Sequence, residues 1–408
     1  MSATLRVAMV TTHPIQYQVP WFRSLAQQPS MDLTVLYAHL PSAEEQGTGF
    51  GVSFAWDLPL LGGYHHVVLR NVARPPSLST FGGCDTPEIG ERLRAGAFDA
   101  VIVNGWHTKS GLQVLWACRR QRLPCIVRGD SNALRSRPLY VRVLQRLLLA
   151  QYDAFLTVGQ SNADFYRRSG VPERKLFFGP HCVDNARFGA QATALAPERN
   201  ALRTAWGIGA DARALLFCGK LVPKKRPLDV LDALSRTLQV GGPHAHLLIA
   251  GDGELRSACD ERARTLGLPV TFAGFLNQTE LARAYVAADA LVLPSDFGET
   301  WGLVVNEAMA CGRPAFVSDR VGCHPDLVLP GATGALFAFG DVLALARLWA
   351  QTTAAQLTEM GSKAQAHVAR YSVETLVAGT LQALGYVVDR ARGARTAARA
   401  DLPAGGGH

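Results

Sequence analysis

The chain has 408 residues, of which 48% are hydrophobic and 18% charged, a mix that can bury sizeable cores and excludes wholesale disorder. No uninterrupted apolar stretch approaches the ~20 residues that a membrane-spanning helix needs. The net charge of +8 is local: residues 1–190 hold 20 Lys/Arg against 13 Asp/Glu (+7), and residues 191–408 hold 21 against 20 (+1).

Short apolar, β-branched runs alternate with helical patterns from end to end. The first half predicts strands at 5–11, 33–38, 100–105, 125–129 and 154–159, with amphipathic stretches at 17–28, 109–122 and 137–151 between them. The second half predicts strands at 214–220, 245–251, 270–274, 290–295 and 315–319, separated by helical patterns at 226–239, 254–266, 278–287 and 302–311. Such alternation argues for parallel sheets covered on both faces. Ten strands are many for one open sheet, so two doubly wound, Rossmann-like α/β domains are expected. A first domain spans 1–190 and a second 191–370; the tail from 390 to 408, rich in Ala, Gly and Arg, reads as disordered. The N-terminus turns polar at Thr12-His13-Pro14 too soon for a signal peptide, and the eight cysteines show no CxxC, so buried free thiols in the cytoplasm are expected.

Ligands of open α/β sheets bind outside the carboxyl ends of strands, at helix N-termini. The strand ends therefore hold the candidate residues. After strand 214–218 comes Gly219-Lys220-Leu221-Val222-Pro223-Lys224-Lys225-Arg226-Pro227, with four cations in seven residues. Fixed cations suit a departing diphosphate. The loop is not a Walker loop, because Leu221 stands where Ser or Thr is needed. After strand 245–250 comes Gly251-Asp252-Gly253-Glu254, and GxGxxG is absent from the chain, which counts against a dinucleotide dehydrogenase. After strand 290–295 comes the richest turn. Glu299 stands in the loop, Gly298 and Gly302 bracket it, and Glu307 falls inside the apolar helix LVVNEAMAC. A lone carboxylate there is costly without hydroxyl or cation partners.

Gly219-Lys220-Leu221 with Lys225, then Gly251-Asp252-Gly253, Phe272-Ala273-Gly274-Phe275, and the run from Glu299 to Pro314 follow in order. Together they resemble the C-terminal half of the retaining glycosyltransferases of family 4, which have the GT-B two-domain fold. Val183 to Phe188 resembles the family's approach to the interdomain linker. Tyr371-Ser372-Val373-Glu374 resembles the start of its last helix, which implies that residues 371–389 cross back to the first domain. The resemblance implies that Gly219, Lys220 and Lys225 hold a donor diphosphate, Lys220 standing where the family more often has Arg. It implies that Glu307 meets the ribose hydroxyls and Glu299 the transferred sugar. The backbone of Trp301, Gly302 and Leu303 is to lie against sugar and phosphate, and Gly274 and Phe275 against the nucleobase.

In the first half, His107 follows a strand where the family has a His facing the donor sugar. His13 and Gln16, and Arg128 and Asp130, also end strands and are expected on the acceptor side. No Asp-x-Asp occurs and His65-His66 lacks further ligands at metal spacing, so neither metal nor cofactor is expected. The implied activity is metal-independent transfer from a UDP- or GDP-type sugar to a hydroxyl of a glycan or lipid-linked acceptor in surface polysaccharide or glycoconjugate synthesis. A sugar-nucleotide epimerase of the same fold and a non-catalytic sugar-nucleotide or polyanion binder are the rivals. Residues 135–146 carry Arg135, Arg137, Arg142 and Arg146 beside Leu, Val and Tyr at helical spacing. Two readings stay open: a basic amphipathic helix on an anionic membrane, or a domain-packing helix with a solvated basic face. Aromatic–basic interleaving is lacking, so nucleic acid is not an expected partner.

Overall fold

The computed structural model describes residues 4–400 apart from 240 and 243. The first domain is a sheet of seven strands: β1 (Leu5–Thr11), β2 (Met31–Tyr37), β3 (His65–Val68), β4 (Ala100–Asn104), β5 (Cys125–Gly129), β6 (Ala154–Thr157) and β7 (Leu176–Phe178). They lie in the order β3-β2-β1-β4-β5-β6-β7, all parallel. The second is a sheet of six: β8 (Arg213–Cys218), β9 (Ala245–Ala250), β10 (Val270–Gly274), β11 (Ala290–Leu293), β12 (Ala315–Ser318) and β13 (Gly334–Phe337). Their order is β10-β9-β8-β11-β12-β13, again all parallel.

Helices cover both faces of each sheet, which is why central strands such as β4, β8 and β9 are buried without alternation. Val7, Met9 and Ile102 point into one core of the first sheet, Ala8, Val10 and Val103 into the other. The ten expected strands all form. β3, β7 and β13 are additional, and each is an edge strand of three or four residues. An edge strand buries less than a central one, so its apolar signal is short. All eight cysteines are buried and none is in a disulfide.

Two places differ from the sequence expectation. The helix Asn185–Leu195 packs on the second domain through Phe188, so the division falls before Asn185 rather than at 190. The last helix runs Val373–Ala400, well into the segment expected to be disordered from 390. Its Ala and Arg residues are strong helix formers, which composition taken as a loop signal had hidden. Residues 401–408 of that tail lie outside the described residues.

The last helix fills one face of the first sheet with Leu376, Val377, Leu384, Val387 and Val388. Trp21 Nε1 donates to Thr380 Oγ1 at 3.1 Å. Gly379 permits the approach, since a Cβ there would lie 1.8 Å from the carbonyl oxygen of Phe178. The chain thus passes between domains twice, once before Asn185 and once near Tyr371. Among the described residues no helix is long and apolar enough to cross a membrane.

Candidate active site

In both sheets the strand order reverses beside the first strand, between β1 and β4 and between β8 and β11. The loops leaving those strands open the crevices where such folds hold ligands. On the second domain three loops knit together. Gly219 N–H donates to Ala250 O at 2.9 Å, Leu221 N–H to Asp252 O at 2.8 Å, and Gly251 N–H to Gly274 O at 2.7 Å. Gly251 has a left-handed φ of 142°, and a Cβ on it would sit 2.0 Å from Gly219 O, so this packing needs glycine.

Lys225 ends the short turn Pro223–Lys225, and Pro227 opens the helix Pro227–Gln239 as its sequence position implies. The Lys225 ammonium forms an ion pair with Glu299, their side chains only 12% and 15% exposed. The backbone locks the same two loops, since Asp296 N–H donates to Lys224 O at 2.9 Å. Lys220 points elsewhere. Its Nζ donates to Thr48 O of the first domain at 2.5 Å and lies 4.8 Å from the centre of the Phe50 ring. Burial, then Lys224 and Lys225, lower its basicity.

Gly302, at a left-handed φ of 101°, precedes the helix Leu303–Ala310, whose first turn, like that of any helix, leaves backbone N–H groups without an intrahelical acceptor. Glu307 is buried in that helix and accepts from the Tyr285 hydroxyl at 2.7 Å. Burial pushes its carboxyl up to about 7, with Tyr285, Arg187, Gln278 and Lys225 pulling the other way. It lines a small interdomain cavity of about 80 Å³ with Gln16, Tyr17, Arg187 and Gln278. Gln16 therefore stands with Glu307 and not beside His13 on the acceptor side, because the chain turns between them. The Trp301 indole is a packing group. It is buried, donates from Nε1 to Asn306 Oδ1 at 2.8 Å, and lies 5.5 Å from the His181 ring, so only the backbone of this residue can serve a ligand.

Phe275 is covered by the first domain. Its ring lies 4.3 Å from that of Phe54 and 5.0 Å from that of Phe50. The same segment is fastened by Asn277 Nδ2 donating to Ala55 O at 2.9 Å and Thr279 Oγ1 to Asp57 Oδ2 at 2.5 Å. Residues 48–57 are thus a strap across the donor-side loops.

On the first domain, His13, His107, Arg128 and Asp130 line one cavity of about 380 Å³ with Tyr17 and His181. His13 is lowered to about 4 by burial and by His39, so it is neutral at pH 7. His107 is held against Gly105, whose left-handed φ of 102° turns the chain there. Arg128 is buried over the Trp21 ring, and one terminal nitrogen donates to Pro180 O and His181 Nδ1, both at 3.2 Å. Its buried Nε–H has no hydrogen-bond partner among the described residues. Asp130 reaches across the cleft, accepting from Thr300 Oγ1 at 2.7 Å. His181, Tyr285, Gln278 and Thr300 were not singled out in the sequence. His181 follows β7, a strand too short to be expected from the sequence, and Tyr285 lies inside the helix Leu281–Ala287. Thr300 lies inside the Glu299 turn, where only its partner across the cleft gives it a role.

The chain matches two family models, "Glycosyl transferase 4-like domain" over residues 32–180 and "Glycosyl transferases group 1" over residues 198–366. It is 33% identical over 380 residues to the D-inositol 3-phosphate glycosyltransferase of Mycobacterium marinum, covering 83% of this chain and 77% of that protein. Among solved structures it is similar to a glycosyltransferase from Rickettsia africae, with a TM-score of 0.72, 12% identity and coverage of 94% of this chain and 99% of that one. It is also similar to HepE of Anabaena, solved in complex with UDP and glucose, with a TM-score of 0.67, 16% identity and coverage of 93% and 99%. With two parallel α/β domains facing a cleft and both halves matched, the chain belongs to the glycosyltransferases of family 4, of GT-B fold.

Proposed function

We propose that the chain transfers a sugar, with retention of anomeric configuration, from a UDP- or GDP-type donor to a hydroxyl of a glycan or lipid-linked acceptor, at the cytoplasmic face of a membrane and in surface glycoconjugate synthesis. One observation carries this reading. Glu299 is paired with Lys225 while its neighbour Thr300 bonds Asp130, so adjacent residues join the cationic loop to the first-domain cavity.

Most of the barrier is charge separation as the bond from the sugar C1 to the diphosphate oxygen breaks. Lys225 and the N–H groups at the start of the helix Leu303–Ala310 stabilise the charge growing on that oxygen. Lys220 joins them once it exchanges Thr48 O for phosphate. Glu299, released from Lys225, accepts from sugar hydroxyls, and Glu307 accepts from the ribose. The acceptor oxygen attacks C1 on the face the diphosphate leaves, and its proton passes to the departing phosphate oxygen. Both enzyme carboxylates then bind and orient, and no covalent enzyme intermediate is needed. His107 closes the sugar side from the first domain. The unpartnered Nε–H of buried Arg128 favours an acceptor carrying an anionic group; the Mycobacterium relative is named for such a substrate.

The test is a panel of UDP, GDP and ADP sugars against inositol phosphates and neutral glycosides, with products read by mass spectrometry and anomeric proton coupling. Lys225→Ala is expected to lower kcat/KM by about a hundredfold or more with the fold intact. Near-normal transfer by that variant overturns the assignment. Conversion of the donor sugar without acceptor would favour the epimerase, and donor binding without turnover the non-catalytic binder.

A further inference from the structure

The helix Leu139–Leu149 stands proud of the first domain, with Leu149 its one buried residue. Leu139, Tyr140, Val143, Leu144 and Leu147 are 72%, 69%, 49%, 63% and 61% exposed. At about 100° per residue they fall within an arc of roughly 140° on one side of the helix. Soluble surfaces rarely gather large apolar side chains this way without a partner.

Arg142 and Arg146 run along one border of that arc. Between this helix and the helix Gln160–Arg168 lies a groove of about 470 Å³ lined by Arg135, Arg137, Arg142, Arg146, Arg168 and Phe165. The neighbouring carboxylates Asp164 and Glu173 are both taken by Arg167. Among the described residues none of the five groove arginines has an ion-pair partner. Arg137 donates instead to Asn132 O at 2.9 Å and lies over the Phe165 ring.

A second copy of the chain would set arginine against arginine, and an acidic protein surface would leave the aliphatic arc poorly filled. A bilayer with anionic headgroups satisfies both features, taking apolar side chains to the acyl boundary and cations at the phosphates. We propose that the helix Leu139–Leu149 and the arginine groove beside it dock this protein on an anionic lipid bilayer. The groove starts at Ala133, just beyond Ser131 of the 380 Å³ cavity, so docking brings that cavity to the membrane face. The surface gives a physical means for the membrane location proposed above, yet its test needs neither donor nor acceptor, so either can fail alone.

The full chain is sedimented with phosphatidylcholine vesicles, pure or one-third phosphatidylglycerol, at ~0.15 M salt. Binding is expected to the anionic vesicles only. Leu144→Glu with Leu147→Glu is expected to abolish it, and Arg142→Ala with Arg146→Ala to weaken it by about thirtyfold. Because all four side chains are exposed, circular dichroism and the thermal midpoint should not change. No binding to anionic vesicles, or undiminished binding by both double variants, overturns the proposal. So does a dimer in size exclusion that Leu144→Glu with Leu147→Glu splits, which would make a second copy the occupant.

Discussion

Glu307 shows how one side chain can work against the fold it sits in. Its carboxyl is raised to about 7 by burial, so the folded chain holds this proton more tightly than the unfolded chain does. The protonated side chain contributes its full stability below the ordinary carboxylate range, near pH 4.5. That contribution is lost as pH rises through about 7, when a charge must be held in an apolar helix. Glu307→Gln should therefore flatten the pH dependence of stability between about 4.5 and 7 and raise stability at pH 8 relative to wild type, as read by urea unfolding at several pH values. It should also weaken donor binding most at high pH, where the native carboxylate has all its oxygen lone pairs for ribose hydroxyls. A Glu307→Gln protein whose stability–pH curve matches wild type would show that this carboxyl titrates normally. The residue was legible in the sequence because a lone acid in LVVNEAMAC has no local reason to be there. Its partners Tyr285, Gln278 and Arg187 were not, because each comes from another element and only the fold brings them together.

At the scale of elements, what the sequence showed and what it hid divide by burial. Central strands are covered on both faces, so Val7–Val10 of β1, Ala100–Val103 of β4, Ala214–Cys218 of β8 and Leu247–Ala250 of β9 read as apolar runs. HHVV, LFF and GALF are edge strands, and in isolation they are indistinguishable from loop. Strand-to-helix turns were legible because glycine, proline and charge cluster there for physical reasons. The strap of residues 48–57 was not, since its meaning lies in Phe275, far along the chain and across the cleft. The strap has a consequence for binding. An aromatic pair contributes about 1 kcal/mol beyond its buried area, and Phe54 against Phe275 covers the segment expected to meet the nucleobase. Phe54→Ala should tighten UDP binding by about fivefold, since less must be displaced. Isothermal titration calorimetry measures this; weaker binding would instead make Phe54 part of the nucleobase seat.

For the whole molecule, the last helix belongs to the first domain's core although it is reached only after the second domain is built. Removing residues 372–408 would strip Leu376, Val377, Leu384 and Val387 from the first sheet. At roughly 1.5–3 kcal/mol for each large buried apolar side chain, that loss is comparable to the whole margin of a typical domain. The truncated chain should lose the first domain's folding while residues from about 185 to 370 survive limited proteolysis. An unchanged thermal midpoint would mean that the helix is an accessory.

The two crossings of the chain, before Asn185 and near Tyr371, also decide how the domains can move. A single linker leaves a domain free to swivel in every direction. Two crossings, with the second pinned by the helix against β7, leave fewer directions of relative motion than a single linker would. The Lys220–Thr48, Thr279–Asp57 and Thr300–Asp130 bonds span the gap as latches. Any opening of the cleft must part all three latches together, and Thr300 leaves Asp130 when it does.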